Sequence, residues 1–285
     1  MSATPLHARQ AEQPWFAVMP TPQSAHRAAH KVRLYCFPYA GAGHTVFHGW
    51  RGALPDHIEL APVRLPGRGA RIAEPHGTSI EALADALAHA IALAIDEAPH
   101  FALFGHSMGA LLAFETARRL QTLHRQTPQT LIVSGRGAPS LPSTRPPFST
   151  LPDGEFADVI AAMGGMPAEI RETPEALAFF LPVLRADIAL CEAWRYRPAA
   201  SLSCPIAVLG GADDLHAPPA SLAAWRNETH RDCTHHLFAG GHFFLRDHAD
   251  AMLKTVARCL DPRSVHADAG APRGSIPLPS IQFNA

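Results

Sequence analysis

The feature that most constrains how this chain can fold is the corner inside FALFGHSMGALLAFETARRL, residues 101–120. An apolar run without a helical stripe gives way at Gly105-His106-Ser107-Met108-Gly109 to a long run of helix formers. A buried strand that turns at once into a helix is the repeating unit of a parallel sheet covered on both faces. A serine held between two glycines at that corner implies a strained turn in which neighbouring segments approach too closely for side chains. The turn lifts the Ser107 hydroxyl above the sheet edge, at a helix N-terminus whose free N–H groups favour developing negative charge. Taken alone, the motif also admits a plainer reading, a helix-capping serine with Gly105 and Gly109 serving packing only.

The rest of the chain repeats the strand-then-helix rhythm. VRLYCF (32–37) reads as a strand entering the Gly-rich turn PYAGAGH, and IELAPVRLP (58–66) as a second strand ending at PGRG. Ile80, Leu83, Leu87, Ile91 and Ile95 recur at helical spacing behind a cap from Ser79 or Thr78. TLIVSG (130–135), IAVLGG (206–211) and HHLFAGG (235–241) supply further strands, with helical stretches near 219–227 and 246–260. The implied fold class is α/β: a mostly parallel sheet with helices on both faces, joined by right-handed crossovers.

Residues 140 to about 200 break the rhythm with helix-like stretches and no strand pattern, and read as a helical cap, or lid, over the sheet. The organisation expected is a mobile arm over 1–28 in which Trp15 and Phe16 dock on the body, one domain over 29–260, and a tail without fixed structure over 261–285.

A serine hydroxyl is a weak nucleophile at neutral pH, so the functional reading of Ser107 demands a base and a group that orients the base. In this architecture an acid follows a late strand and a histidine follows the last one. IAVLGG is followed by Ala212-Asp213-Asp214-Leu215, and HHLFAGG by His242. Both arrive at the carboxyl ends of strands, where open α/β sheets bind ligands. Counting a Gly-x-x-Asp turn from Gly211 favours Asp214 as the acid, with Asp213 as the alternative and more simply a turn residue. The oxyanion donors expected are the backbone N–H groups of Met108, after the nucleophile, and of Ala40, in the loop after the first strand. His235 and His236 invite a metal reading together with His242, but alternate strand positions send them to opposite faces, so no metal site is expected.

Other function classes lose support. With 24 basic and 25 acidic residues, a formal net charge of -1 offers no footprint for nucleic acid or an anionic membrane. GAGHTV lacks the third glycine of a dinucleotide fingerprint, and no Gly-Lys-Ser/Thr marks a phosphate loop. Five cysteines, Cys36, Cys191, Cys204, Cys233 and Cys259, are far apart and odd in number, which fits a reducing cytoplasm. No basic segment followed by an apolar stretch opens the chain and no apolar run is long enough for a membrane span, so a cytoplasmic protein is expected.

FPYAGAG, RLPGRGAR, FGHSMGALLAFE, SGRGAP, MGGMPAE, LRADIALCEAWRY, GGADD and GGHFFL stand in the order and approximate spacing of the type II thioesterases of polyketide and nonribosomal peptide biosynthesis. The chain resembles that family over about residues 15–260, including the cap segment. The resemblance implies an α/β-hydrolase fold and hydrolysis of acyl or aminoacyl thioesters from the phosphopantetheine arm of acyl or peptidyl carrier proteins, clearing stalled or mis-primed synthases. Carried onto this chain it implies Ser107 as nucleophile, His242 as base, Asp214 as its partner, Met108 and Ala40 as oxyanion donors, no cofactor of the enzyme's own, and a monomer. Leu215 departs from the family pattern, where proline commonly follows the acid. Arg68, Arg136, Arg185 and Asp187 lie in matching blocks and read as turn or cap ion pairs. Phe179, Phe180, Leu181 and Leu184 are candidate chamber walls, and Met163-Gly164-Gly165-Met166 a candidate hinge. The rival readings are a general carboxylesterase or peptidase-like hydrolase, and an inactive hydrolase fold used for binding.

Overall fold

The computed structural model describes residues 15–17, 31–95, 100–142, 146–261 and 282–284. Among the described residues seven strands, β1 (Val32–Phe37), β2 (Ile58–Pro62), β3 (Phe101–His106), β4 (Leu131–Ser134), β5 (Ile206–Gly211), β6 (Cys233–Phe238) and β7 (Gln282–Asn284), form one sheet in the order β2-β1-β3-β4-β5-β6-β7. Every pairing is parallel. After β1 the chain crosses to one side to make β2, and after β3 it proceeds to the other side to make β4. The loops leaving β1 and β3 therefore diverge, opening the crevice in which such sheets place their ligands.

Strand side chains alternate between two cores. Leu34 and Cys36 of β1 join Phe104, Ile132, Leu209 and Phe238 on one face. Tyr35 and Phe37 join Leu103, Val133, Val208 and Trp225 on the other. Burial on both faces is what makes these strands read as continuous apolar runs. The first helix, α1 (Ile80–Leu93), is capped by Ser79, whose Oγ accepts from the Ala82 N–H at 3.0 Å. Its buried stripe includes Ile80, Leu83, Leu87 and Ile91, and Ile95 packs partly buried against the same core. The second, α2 (Met108–Arg119), leaves the corner after β3.

Two departures from the sequence pattern have local causes. The second strand ends at Pro62 rather than Pro66, because Val63 bridges Phe16 in antiparallel sense and the Arg64 N–H donates to the Trp15 carbonyl at 2.7 Å. Trp15 and Phe16 thus dock as expected, with the Arg71 guanidinium 4.1 Å from the Trp15 ring centroid. The tail expected to lack structure contributes β7, paired with His236–Phe238 of β6; an otherwise open strand edge offers backbone groups that even a three-residue segment can satisfy. Residues 1–14 and 18–28 of the N-terminal arm, and 262–281 and 285 of the tail, lie outside the described residues.

The cap lies between β4 and β5 and comprises α3 (Asp153–Ala162), α4 (Ala168–Arg171) and α5 (Pro174–Ala193). It has its own small core of Phe156, Ala157, Ile160, Met166, Leu181 and Leu184. Arg185 ties it internally, donating to the Leu151 carbonyl at 2.8 Å, to Asp153 at 2.6 Å and to the Ser149 carbonyl.

Candidate active site

Ser107 adopts φ 54° and ψ -113°, a left-handed conformation that L residues avoid and that costs about 1–3 kcal/mol where it persists. The surroundings enforce it. A Cβ on Gly105 would lie 2.0 Å from the Gly109 carbonyl oxygen, and one on Gly109 would lie 2.1 Å from that of Phe37. The two glycines let α2 start directly against the ends of β3 and β1, and the Ser107 N–H is held by the Ser134 carbonyl at 2.8 Å. Among the described residues Ser107 Oγ makes no cap bond to its own helix; it points instead at His242 Nε2, 3.1 Å away.

His242 follows β6, and its Nδ1 lies 2.8 Å from Asp214 Oδ2. Asp214 follows β5, and its Oδ1 accepts the His216 N–H at 2.7 Å. Burial works against the Asp214 carboxylate, but the hydrogen bond and charge of His242 and the backbone N–H groups of His216 and Ala217 outweigh it, holding the carboxyl below its ordinary range. An ionised Asp214 can only accept, so a His242 tautomer with its proton on Nδ1 donates to it and turns an Nε2 lone pair toward Ser107. Asp213 turns away: its carboxylate accepts the Gly240 N–H at 3.3 Å and its own N–H donates to the Gly240 carbonyl, stapling the two loops. Leu215, at the departure from the family pattern, is 79 % exposed and leaves the acid's geometry undisturbed.

Met108 is the first residue of α2, so its N–H has no partner within the helix. In the loop after β1 a turn closes from Tyr39 to Ala42, with Gly41 at φ 76°. Within that turn the Gly41 N–H donates to Asp187 Oδ2 at 2.8 Å, so Gly41 does not compete with Ala40, the donor expected from sequence. Tyr39 anchors the loop against the neighbours of His242, its ring centroid 5.8 Å from that of His106 and 5.1 Å from that of Phe243.

His106 carries no obvious signal in sequence yet lies under the site, 5.0 Å from the His242 ring and hydrogen-bonded to Ser134 Oγ at 2.9 Å. Burial, and then the neighbouring His242, hold its pKa well below the ordinary histidine value, so it is a neutral spacer. His235 bonds the Leu222 carbonyl through Nε2 at 3.1 Å, away from His242. Among the described residues no cluster of three or more His, Cys, Asp or Glu is arranged to hold a metal.

The cap residues separate. Leu184 and Phe180 lie against the loop after β1, since a Cβ on Gly41 would come within 3.0 Å of the first and 3.1 Å of the second. Leu181 is buried in the cap's own core. Phe179, expected among the chamber walls, is 72 % exposed: it precedes Phe180 on the helix and so points about a quarter-turn away from that face. In the expected hinge, Gly164 takes φ 76°, its carbonyl accepts from Arg246, and a Cβ on Gly165 would lie 3.1 Å from the Phe243 ring. The hinge therefore rests on the loop that carries His242. Of the four residues read as ion pairs, Arg68 and Asp187 pair with each other, Arg185 ties the cap, and the Arg136 carbonyl accepts the Trp225 indole N–H at 2.6 Å.

A sequence model of the thioesterase domain matches residues 32–260, most of the described chain. The chain belongs to the thioesterase family. It is 36 % identical over 233 residues to the gramicidin S biosynthesis protein GrsT of Aneurinibacillus migulanus, covering 82 % of this chain and 90 % of that one. It is 39 % identical over 230 residues to the thioesterase PikA5 of Streptomyces venezuelae, covering 80 % of this chain and 78 % of the relative. The solved structure of the type II thioesterase BorB from the borrelidin biosynthetic cluster superposes with a TM-score of 0.77 at 35 % identity, covering 86 % of this chain and 97 % of BorB. The α/β-hydrolase fold and the assignment as a thioester hydrolase follow, as does the likeness to type II enzymes. Among the described residues no helix is long and apolar enough to cross a membrane.

Proposed function

We propose that this thioesterase removes acyl or aminoacyl groups from the phosphopantetheine thiol of carrier proteins, freeing stalled or mis-primed polyketide or nonribosomal peptide synthases. The observation that carries the chemistry is the continuous relay Ser107 Oγ–His242 Nε2 at 3.1 Å and His242 Nδ1–Asp214 Oδ2 at 2.8 Å. Ser107 Oγ attacks the thioester carbonyl carbon while His242 Nε2 takes its proton. Negative charge moves to the carbonyl oxygen, where the Met108 and Ala40 N–H groups receive it, each such donor contributing about 3–4 kcal/mol in the transition state. Collapse of the tetrahedral intermediate breaks the C–S bond, and His242 returns the proton to the departing thiolate. Water then attacks the Ser107 ester, with His242 taking its proton and delivering it to Ser107 as the acid leaves. Asp214 orients the imidazole and offsets its positive charge through both steps.

The enzyme needs no metal or redox cofactor for this sequence, because the phosphopantetheine arrives as part of the substrate. Cysteine offers no competing nucleophile. Burial pushes the Cys191, Cys233 and Cys259 thiols up to about 11 and Cys204 to about 12, and raises Cys36 well above its ordinary value. All five are free, which suits a reducing cytoplasm, where we place the enzyme as a monomer. The likeness to the gramicidin S biosynthesis protein GrsT and to the thioesterase PikA5 supports a thioesterase role in such biosynthesis.

Turnover of an acyl-carrier protein, of the same acyl group on N-acetylcysteamine and of the p-nitrophenyl ester tests the substrate. A kcat/KM higher for the carrier-bound group is expected. Equal or lower values for the carrier would favour a general carboxylesterase acting on free small molecules.

A further inference from the structure

The site described above leaves one buried charge pair unused, and it joins the cap to the loop that carries Ala40. Asp187, on α5 of the cap, is 2 % exposed, and Arg68, in the loop after β2, is 9 % exposed. Their contact is bidentate: Arg68 Nη1 donates to Asp187 Oδ2 at 2.5 Å and Nη2 to Oδ1 at 2.6 Å. Both partners also grip the loop after β1. Asp187 Oδ2 accepts the Gly41 N–H at 2.8 Å, and Arg68 Nη1 donates to the Ala42 carbonyl at 3.2 Å. The two residues following Ala40 are thus clamped through opposite backbone groups.

A charge pair this deep is a poor source of stability, since removing two ions from water offsets most of their attraction. Its geometry fits another use. Buried residues Leu181, Leu184 and Asp187 recur at three-residue spacing on α5, so one helix face presents a leucine pair and then the carboxylate. Leu184 packs against Gly41, while Asp187 fixes that residue's N–H. We propose that Asp187 and Arg68 are positioning residues that set the oxyanion-binding loop, making the Ala40 donor dependent on a seated cap. The inference rests on the proposed reading of Ser107 and Ala40. The cap then acts as more than a cover: a shift of α5 carries the Gly41 anchor with it and withdraws the Ala40 N–H from the reacting oxygen.

Three variants separate positioning from stability. Asp187→Leu strands the Arg68 charge and lowers both Tm and kcat. Arg68→Met with Asp187→Leu removes both ions, so most of the lost Tm returns, but Gly41 stays unanchored. For this double variant kcat on butyryl-N-acetylcysteamine is expected to fall on the order of 10²-fold, as for loss of one oxyanion donor, with KM changed by less than about threefold. Asp187→Asn keeps an oxygen where Gly41 and Arg68 Nη1 both donate, so it loses Tm yet holds kcat within about tenfold of wild type. An alkyl trifluoromethyl ketone, whose Ser107 adduct carries an oxyanion, should lose affinity in step with kcat across the series. Assays are run well below every Tm. Recovery of wild-type kcat and ketone affinity in the double variant, alongside its Tm, overturns the positioning role. Ser107→Ala is the control in the same series. If wild-type turnover proves independent of Ser107, the reading of the site falls and this inference with it; if Ser107-dependent turnover is full in the double variant, only the inference falls.

Discussion

At the corner after β3 the backbone leaves no room for choice, with added Cβ atoms on Gly105 and Gly109 meeting carbonyl oxygens at 2.0 Å and 2.1 Å. In the cap, a Cβ on Gly154 would meet nothing within 4 Å, and one on Gly164 would come no nearer than 3.7 Å to Arg246 and Phe243. The corner is fixed by main chain against main chain, in the middle of a parallel sheet. The cap is fixed by side chains: its small apolar core, the Arg185 ties and the Asp187–Arg68 pair. Under the proposed function, the group that must sit within tenths of an ångström of a reacting atom is on the rigid element, and the part that would admit the acyl arm is on the adjustable one. The loop bearing Ala40 stands between the two regimes, leaving β1 on the sheet and clamped by the cap.

That contrast can be broken in order of effect. Within the site, Asp214→Asn should lower kcat by about 10³–10⁴-fold, because the amide cannot hold the imidazole in the needed tautomer, whereas Asp213→Asn should stay within about threefold. Steady-state kinetics on one thioester checks both, and the reverse ranking would transfer the acid's role to Asp213. For the backbone, Gly109→Ala should destabilise the fold by more than about 4 kcal/mol, with main chain forced apart at the start of α2. Gly164→Ala, at φ 76° but with space around it, should cost only about 1–2 kcal/mol. Urea titration of the pair measures the difference, and comparable losses would contradict the distinction between the two regions.

A pH-dependent effect follows from the neutral imidazole beneath the corner. The folded-state pKa of His106 lies well below the ordinary value, through burial and then the nearby His242. The unfolded chain therefore gains a proton near pH 6.5 that the folded chain refuses. The stabilising contribution is complete above that pH and is lost as pH falls from about 6.5 toward the folded value, by up to ~1.4 kcal/mol per pH unit. His106→Asn, which keeps a polar group near Ser134 Oγ, should flatten the stability profile between about pH 6.5 and 5.5. Parallel slopes for wild type and variant would show that His106 does not carry it. The smallest effect belongs to the cap surface: Gly154→Ala, in the first turn of α3, should raise stability by about 0.5 kcal/mol through helix propensity and lost unfolded-state freedom.

The same division governed what could be read from sequence. Residues 101–120 disclosed the corner because a tight main-chain approach demands glycine, and glycine is visible in one dimension. The strands were visible because a sheet covered on both faces needs unbroken apolar runs, and Asp214 and His242 because chain order fixes which strand end each follows. The cap was less legible. Phe179, Phe180, Leu181 and Leu184 are all apolar, and only packing separates the exposed Phe179 from Leu184 against Gly41. Arg68 and Asp187 are 119 residues apart, so nothing local reports their pairing. The signal available was chemical: an arginine between Gly67 and Gly69, and a carboxylate three residues after Leu184 on the apolar face of its helix. The strand at Gln282–Asn284 was hidden because three residues are too few to show a period.

Intact-protein mass measurement of enzyme rapidly quenched with an acyl-carrier protein tests the triad chemistry most directly. An added mass equal to the acyl group, mapped to the peptide containing Ser107 and absent from Ser107→Ala together with turnover, is the predicted result. Continued hydrolysis by the alanine variant, or an acyl group found on a different residue, would contradict it.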